Sequence, residues 1–183
     1  MKKLTIMAIA ALSITAVNAQ DIRKTRFEVE IDPIAYALKG CSLHGIVVHN
    51  HWRGDIGVFA ITQPEGYTGN KGFEVYTKGA GIKLNRLLNK KETWFAGIGC
   101  GYGISDIKHT ESRQQLDEHI VSIGIHTGYR FFFFKNTAFK NLYITPWFSV
   151  DYNIPIKEPN FKGYNYESNS FSIFPTVHIG YTF

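Results

Sequence analysis

The sequence predicts an all-β protein: an eight-stranded antiparallel transmembrane β-barrel preceded by a cleaved signal peptide. Three observations predict it. A basic and then apolar segment opens the chain, long stretches alternate apolar and polar residues, and the connections between those stretches alternate in length. Aromatic residues make up 15% of the chain, which also holds 17 glycines. That composition suits strands better than helices.

Residues 1–19 have the pattern of a signal peptide. Lys2 and Lys3 give a positive start, residues 4–17 are mostly apolar, and Val17 and Ala19 suit signal peptidase, so cleavage is predicted after Ala19. Residues 20–183 then form one domain. No later stretch approaches the ~20 apolar residues of a transmembrane helix. Loss of the two lysines lowers the formal charge from +5 to +3, which gives no case for nucleic acid.

The clearest alternation runs through residues 93–104. Trp94, Ile98 and Tyr102 fall on one side, and the other side carries Gly97, Gly99, Gly101 and Gly103, which leave room for bulky groups opposite. Eight strands are predicted, near residues 26–38, 41–49, 53–61, 73–88, 93–104, 118–134, 141–154 and 170–183. Asp32 and Pro33 interrupt the first strand and imply an edge, a bulge or a bend. The register of strands one and two stays open.

From strand two onward, short and long connections alternate. The long, polar ones are residues 62–72, 106–117 and 157–169. Short periplasmic turns, longer outside loops and aromatic girdles are typical of outer-membrane barrels. The girdle at the periplasmic ends is predicted to contain Trp52, Trp94, Phe131, Phe133, Tyr181 and Phe183.

A soluble exported barrel or sandwich with an internal ligand cavity is the alternative fold. Its apolar side chains would point inward. Here the presumed inner faces carry many charges, so the apolar faces are predicted to meet lipid, and the first and last strands must pair to close the barrel. The predicted lumenal polar network consists of Glu28, Glu30, Asp32, Asp55, Lys83, His126, Arg130, Asp151 and His178.

Two functional interpretations of these lumenal charges are possible. In the first, acids and bases neutralise one another in a packed core, because unpaired buried charge is costly. In the second, they form a gated proton or small-solute path. An eight-stranded barrel has room for little beyond its own side chains, which favours the packed core.

The chain resembles the small eight-stranded bacterial outer-membrane barrels, such as the OmpA transmembrane domain and OmpX. The resemblance rests on the signal peptide, the alternation and the final "VHIGYTF". It implies residence in the outer membrane of a Gram-negative bacterium. It also implies recognition by the barrel-assembly machinery of a C-terminal signal formed by Val177, Ile179, Tyr181 and Phe183. The stretch 30–45, "EIDPIAYALKGCSLHG", resembles a barrel group without assigned function.

Candidate catalytic groupings are unspecific. Some barrels that this chain resembles modify lipid A with a Ser, a His and an acid. The groupings available are Ser42 with His44 and Asp32, and His109 with Ser112 and Glu111. Ser42 and His44 stand ~7 Å apart on an unbent strand, too far for a hydrogen bond, and the second grouping has the character of a solvated loop. No catalytic residue is therefore assigned.

Metal, cofactor and disulfide sites are not predicted. His49 and His51 give two ligands where structural zinc takes about four. Cys41 and Cys100 are assigned to strands that are not placed side by side, so a disulfide between them is not favoured.

The predicted function is a structural or surface-interaction role through extracellular loops. Loops on a rigid scaffold commonly carry recognition. The expected partners are outer-membrane lipid and lipopolysaccharide, with the assembly machinery during insertion. A monomer with no cofactor is expected. The alternatives are a lipid A deacylase or acyltransferase and a gated small-solute path. The loop charges are of both signs: Asp106, Lys108, Arg113, Asp117, Lys157, Glu158 and Lys162.

Overall fold

The computed structural model describes residues 25–133 and 139–183. These residues form eight antiparallel strands in one closed barrel, in which each strand pairs with the next and the last pairs with the first. The predicted fold class is confirmed. The signal peptide, Phe134 and the turn residue Lys135 lie outside the described residues. The strands are β1 (Thr25–Ile31), β2 (Cys41–His49), β3 (Trp52–Gln63), β4 (Phe73–Leu87), β5 (Trp94–His109), β6 (Gln115–Tyr129), β7 (Leu142–Lys157) and β8 (Phe171–Thr182).

The barrel closes through a short seam between β1 and β8. Glu28 pairs with Thr182 and Ile31 with Ile179, and the Phe183 N–H donates to the carbonyl of Phe27 at 2.9 Å. Pairing of the two outermost strands removes the exposed backbone edges of the sheet.

The connections distinguish two ends of the barrel. The turn end holds the connections 50–51, 88–93 and 130–141, the last of which is described only in part. The loop end holds the connections 32–40, 64–72, 110–114 and 158–170. We use these two names throughout.

The first strand is shorter than predicted. It ends at Ile31, and residues Pro33–Ala37 form the helix α1. Asp32 is the N-cap, since its Oδ1 accepts a hydrogen bond from the Ile34 N–H at 2.8 Å, and Pro33 stands at the first helical position. Proline suits that position because its missing N–H would have no partner there. A second short helix, α2 (Glu65–Thr68), lies in the next loop.

The predicted long loop 106–117 is wrong. Strands β5 and β6 continue through most of it and leave only residues 110–114 between them. Charged side chains extend outward from this part of the sheet and pair across strands: Lys78 Nζ lies 3.1 Å from Asp106 Oδ2, and Lys157 Nζ lies 2.7 Å from Asp117 Oδ2. The strands therefore continue beyond the apolar band, at a level where charges meet water.

The outer wall is apolar over its middle. On β5 this face runs from Trp94 through Ile98 to the charged Asp106, and Ile98 is 62% exposed. At about 3.4 Å per residue and a tilt of about 40°, this stretch is about 30 Å high, which matches the hydrocarbon core with its girdles. Other exposed apolar residues are Phe27, Leu43, Val47, Ile56, Val58, Ile82, Leu84, Ile123, Ile125, Phe148, Val150, Phe171 and Ile173.

The predicted aromatic residues gather at the turn end. Trp94 packs on Tyr129 with ring centroids 5.0 Å apart, and Phe131 continues the row. All six residues of the predicted girdle are exposed. Among the described residues, no helix is long and apolar enough to cross a membrane. Cys41 and Cys100 are both free and exposed.

Candidate functional site in the barrel lumen

The turn-end half of the lumen contains a buried ion-pair network. Arg130, which is fully buried, places Nη2 2.5 Å from Glu28 Oε1. The Tyr143 hydroxyl donates to the other oxygen of Glu28 at 3.0 Å, and the guanidinium of Arg130 lies 4.5 Å from the centroid of the Tyr143 ring. Tyr143 has space because its ring fills the position that a side chain on Gly180 would take.

Arg53 joins this pair to the rest of the network. Its Nη2 lies 2.6 Å from Glu30 Oε1 and its Nε lies 3.3 Å from Glu28 Oε2. The second oxygen of Glu30 accepts a hydrogen bond from His178 Nδ1 at 2.9 Å. Arg53 therefore holds two carboxylates that come from β1.

Asp55 completes the network beside the lumen centre. It accepts hydrogen bonds from His44 Nδ1 at 2.9 Å and from Lys83 Nζ at 3.2 Å. Inside the lumen the network contains three carboxylates (Glu28, Glu30 and Asp55) and three basic side chains (Arg53, Lys83 and Arg130). At its edge, Arg26 lies 3.2 Å from Glu28 Oε1 and also pairs with Glu92, which adds one charge of each sign. Its formal charges therefore balance.

The nine predicted lumenal residues are not all in this network. Glu28, Glu30, Asp55, Lys83, Arg130 and His178 are brought together. His126 instead donates from Nε2 to Asn85 Oδ1 at 2.5 Å. Asp32 and Asp151 have no basic partner among the described residues; they accept hydrogen bonds from Thr176 Oγ1 at 2.6 Å and from Ser149 Oγ at 2.5 Å.

Arg53 is the main residue that the sequence interpretation missed. The signal was present, because Ile56 and Val58 point outward and the inward positions of the same strand are then Arg53, Asp55 and Gly57. Arg53 stands at the start of the predicted strand, where the alternation has no preceding residue to support it.

Apolar side chains close the lumen beside this network. Ile46, Val48, Leu87 and Phe95 form one buried cluster, and Trp147 packs against it. Arg53 lies 5.5 Å from the centroid of the Phe95 ring, so the apolar cluster and the ion pairs are in direct contact. The turn-end half is thus a packed plug.

The loop-end half of the lumen contains a cavity of about 290 Å³. Its walls include Gly81, Gly101 and Gly103, and its lining extends from Lys83 and Trp147 to the loop residue Glu167. The atoms nearest to a Cβ added at Gly81 or Gly101 are all backbone atoms of the neighbouring strand. The prediction of bulky groups opposite the glycines therefore holds only for Gly97 and Gly99, which face Asn85, Lys83 and His126.

The loops at the loop end are tied to one another by side-chain amides. Asn70 Nδ2 donates to the carbonyl of Glu167 at 3.0 Å, and the N–H of Glu167 donates back to Asn70 Oδ1 at 2.9 Å. Gln114 makes the same two-way contact with the backbone of Lys162, at 3.4 and 3.2 Å. We call these two contacts the amide clamps.

An aromatic cluster supports the clamped loops. Phe161, from the last loop, is 5% exposed and packs on Phe73 with ring centroids 5.0 Å apart. Tyr166 packs on the same Phe73 ring at 5.3 Å. Burial raises the pKa of the Tyr166 hydroxyl above its ordinary value, so the group stays neutral. The last loop is therefore folded over the barrel rim by both polar and apolar contacts.

The candidate catalytic groupings do not assemble a complete relay among the described residues. His44 bonds to Asp55 and not to Ser42, and Asp32 caps α1 instead. His109 Nδ1 lies 2.9 Å from Ser112 Oγ, but the same nitrogen also accepts the Ser112 N–H at 3.2 Å, as in a local turn. No carboxylate contacts that imidazole in the described part of the chain.

The two turn histidines do not converge. His49 contacts Thr25 and Asn50, and His51 Nδ1 lies 3.1 Å from Glu92 Oε1. Within residues 25–133 and 139–183, no group of three or more potential metal ligands occurs.

The distribution of polarity decides how the barrel meets its surroundings. Charged residues such as Arg130 and Glu30 are buried inside, whereas Ile98 and Ile125 are more than 60% exposed on the outside. A soluble barrel would have the opposite arrangement. The barrel is a transmembrane one. Closed single-chain barrels with this arrangement are typical of bacterial outer membranes.

Comparison with known proteins gives similarity of fold only. No protein-family model and no curated protein matches the chain. One similar structure is Neisserial surface protein A, with a TM-score of 0.48, 10% identity, and coverage of 89% of this chain and 100% of that one. Another is a major outer membrane protein from Thermus thermophilus, with a TM-score of 0.46, 10% identity, and coverage of 87% and 99%.

Proposed function

We propose that this outer-membrane barrel has a structural or surface-interaction role, with the loop end facing the cell exterior. The observation that carries the proposal is the contrast between its ends. The turn end is plugged by ion pairs and by the Ile46 cluster, while the loop end presents loops that the amide clamps hold in place. A plugged barrel with an ordered outer surface suits contact better than passage.

Lipopolysaccharide is the first partner to test. Several loop-end charges are neutralised locally, since Lys108 pairs with Glu74 and Lys157 with Asp117. Arg113 and Lys162 are exposed and have no ion pair among the described residues. The Gln114 clamp brings their two loops together. Two such cations favour the phosphate groups of lipopolysaccharide.

Binding of purified barrel to lipopolysaccharide in detergent micelles tests this role. We expect saturable binding that weakens in the double variant Arg113→Gln with Lys162→Gln. The matched control is Lys90→Gln with Lys91→Gln, which removes two exposed charges from the turn end and leaves binding unchanged. Equal loss in both double variants would show non-specific attraction and contradict the proposal. If the barrel does not bind lipopolysaccharide but its loops bind a surface protein, the proposed partner is wrong and that protein takes its place.

Two further assays address the alternative functions. We expect no stepwise conductance in planar bilayers, because the plug fills the turn-end half. We expect no change in the acyl chains of lipid A by mass spectrometry, because neither candidate Ser–His grouping has a complete relay among the described residues. Steady channels would favour the gated path, and a deacylated or acylated product would favour the enzyme.

A further inference from the structure

The cavity in the loop-end half has an unusual charge environment. Its lining includes Asp32, Asp151 and Glu118, and Lys83 is the only lysine or arginine among the lining residues described. Lys83 is already bonded to Asp55. None of these three carboxylates has a basic partner in the described part of the chain, since their contacts are hydroxyls and one backbone N–H. A fourth lining carboxylate, that of Glu167, accepts from the Asn165 amide at the exposed mouth. Carboxylates in a confined space without counter-charge attract a cation.

One hydroxyl group on the cavity wall has no partner in the described part of the chain. Ser42 is 3% exposed and lines the cavity. Within the described residues its hydroxyl makes no hydrogen bond, and its oxygen is not among the fully enclosed side-chain atoms that lack a partner, so it is open to the cavity. Ser42 therefore offers an acceptor to whatever occupies the cavity.

Aromatic rings line one wall from the cavity floor towards its mouth. Phe174 lies between Trp147 and Tyr67, with ring centroids 6.3 Å from each. The ammonium of Lys83 lies 4.5 Å from the centroid of the Trp147 ring, so an aromatic face of this wall already receives a cation. Aromatic rings next to carboxylates are the usual recognition elements for organic ammonium groups.

The size and ligand chemistry favour an organic cation over a metal ion. The cavity of about 290 Å³ is near the lower limit of small-molecule sites, which are about 300 Å³ and larger. Four carboxylate residues line the cavity, Asp32, Glu118, Asp151 and Glu167, but no group of three potential metal ligands lies close together among the described residues. A hydrated metal ion would also gain little from the aromatic wall.

We propose that the loop-end half of the lumen is a binding site for a small organic cation, a primary amine or a quaternary ammonium compound. The ammonium group lies near Asp151 and the aromatic wall, and its substituents occupy the space beside Gly101 and Gly103. The site lies inside the barrel and does not depend on the loop surface that contacts lipopolysaccharide, so each proposal can fail without the other.

The test compares choline with 3,3-dimethylbutan-1-ol, its neutral isostere of nearly equal shape. Both are titrated into full-length mature barrel in micelles, with binding followed by calorimetry and tryptophan fluorescence. We expect choline to bind saturably and the neutral alcohol to bind at least about tenfold more weakly, since a charge-assisted contact is lost. Equal binding of both compounds, tighter binding of the alcohol, or no saturation by choline and by spermidine overturns the proposal.

Three variants locate the site. Asp151→Asn keeps the side-chain shape and is expected to weaken choline binding about tenfold. Gly103→Leu fills the cavity, since the nearest atom to its new Cβ is Thr77 Cγ2 at 3.8 Å, and is expected to abolish binding. The control Gly45→Leu has similar room, 3.9 Å from Ile56 Cγ2, but faces outward and is expected to bind normally. Choline binding that survives Gly103→Leu places the site elsewhere and contradicts the proposal. Heat-modifiable gel migration verifies that each variant is folded.

Discussion

In the turn-end half of the lumen, Glu28, Glu30 and Asp55 each contact a guanidinium or an ammonium group. In the loop-end half, Asp32 and Asp151 contact hydroxyl groups instead. The same barrel therefore treats its inner carboxylates in two ways. One half uses them as parts of a charge-balanced plug, and the other leaves them facing an open space.

Side-chain size on two adjacent strands explains the difference. Towards the turn end, the inward positions of β4 and β5 carry Lys83, Asn85 and Phe95, which reach across the lumen. Towards the loop end, the same face carries Gly81 on β4 and Gly101 and Gly103 on β5, whereas Gly97 and Gly99 lie opposite Asn85 and Lys83. Eight strands leave only enough room for side chains. These glycines turn that room into a cavity, so the local sequence decides which half of the lumen is open and which half is packed.

The largest effect is expected from stranding a buried charge in the plug. Glu28→Gln removes the carboxylate nearest to Arg130, which is fully buried, and is expected to lower the free energy of unfolding by about 3–5 kcal/mol. Adding Arg130→Met should recover part of that loss, because the stranded cation is then gone. Urea unfolding in micelles measures both.

Asp151→Asn is the matched control in the loop-end half. Asp151 has no basic partner among the described residues, so its neutralisation leaves no cation without a counter-charge. The free energy of unfolding is therefore expected to change by no more than about 1 kcal/mol. Equal destabilisation by Glu28→Gln and Asp151→Asn would show that the two halves do not differ in this way.

The next effect concerns the outer wall. Ile98→Arg places a cation in the middle of the apolar band and is expected to cost about 2–4 kcal/mol in a bilayer. Ile144→Arg is the control, since Ile144 lies close to the turn end, next to Phe131, where the expected cost is about 0–1 kcal/mol. A harmless Ile98→Arg in lipid vesicles would mean that this face does not meet hydrocarbon.

The strands were predictable from alternation alone because both faces of a membrane barrel are strongly selected in polarity. The two places where the predicted strand boundaries were wrong have local causes. Asp32 and Pro33 interrupt the alternation, although the same pair is a capping signal for the helix that follows. The polar run 106–117 has loop-like composition, yet its charges pair across strands above the apolar band. Composition alone does not distinguish a loop from a strand in water.

The candidate site was only partly predictable. Alternation placed the acids and bases inside, but pairing depends on the register between strands. That register sets Glu30 beside Arg53 and leaves Asp151 without a base among the described residues. The cavity depends even more on the register between strands, because it requires Gly81 on β4 to face Gly101 on β5. One strand's sequence does not contain that information.

A smaller effect is expected from the clamp over the cavity. Asn70→Ala removes two hydrogen bonds to the backbone of Glu167, which together contribute about 1–2 kcal/mol to the folding of the last loop. Trypsin cleavage after Lys162 should then accelerate about tenfold, since local opening becomes more frequent. In the control Asn165→Ala, only an exposed contact with the Glu167 side chain is lost, and cleavage should keep its normal rate. Unchanged cleavage in Asn70→Ala would show that the aromatic cluster alone holds the loop.

The smallest effect comes from an ion pair on the outer wall, and strand β4 supplies its own comparison. Lys78 lies 3.1 Å from Asp106 outside the barrel and Lys83 lies 3.2 Å from Asp55 inside it, so the two Lys–Asp pairs have nearly equal geometry. The Lys78 side chain is 52% exposed, whereas that of Lys83 is 20% exposed and its partner is almost fully buried.

Lys78→Met should lower the free energy of unfolding by about 0–1 kcal/mol, because water already solvates both charges of the outer pair. In high salt this small difference between the variant and the unaltered protein should disappear. Lys83→Met should cost more and respond less to salt, although His44 still donates to Asp55 and limits the loss. Equal, salt-sensitive losses in the two variants would mean that water reaches the plug as freely as the outer rim, and the contrast between a sealed half and an open half would then have to be abandoned.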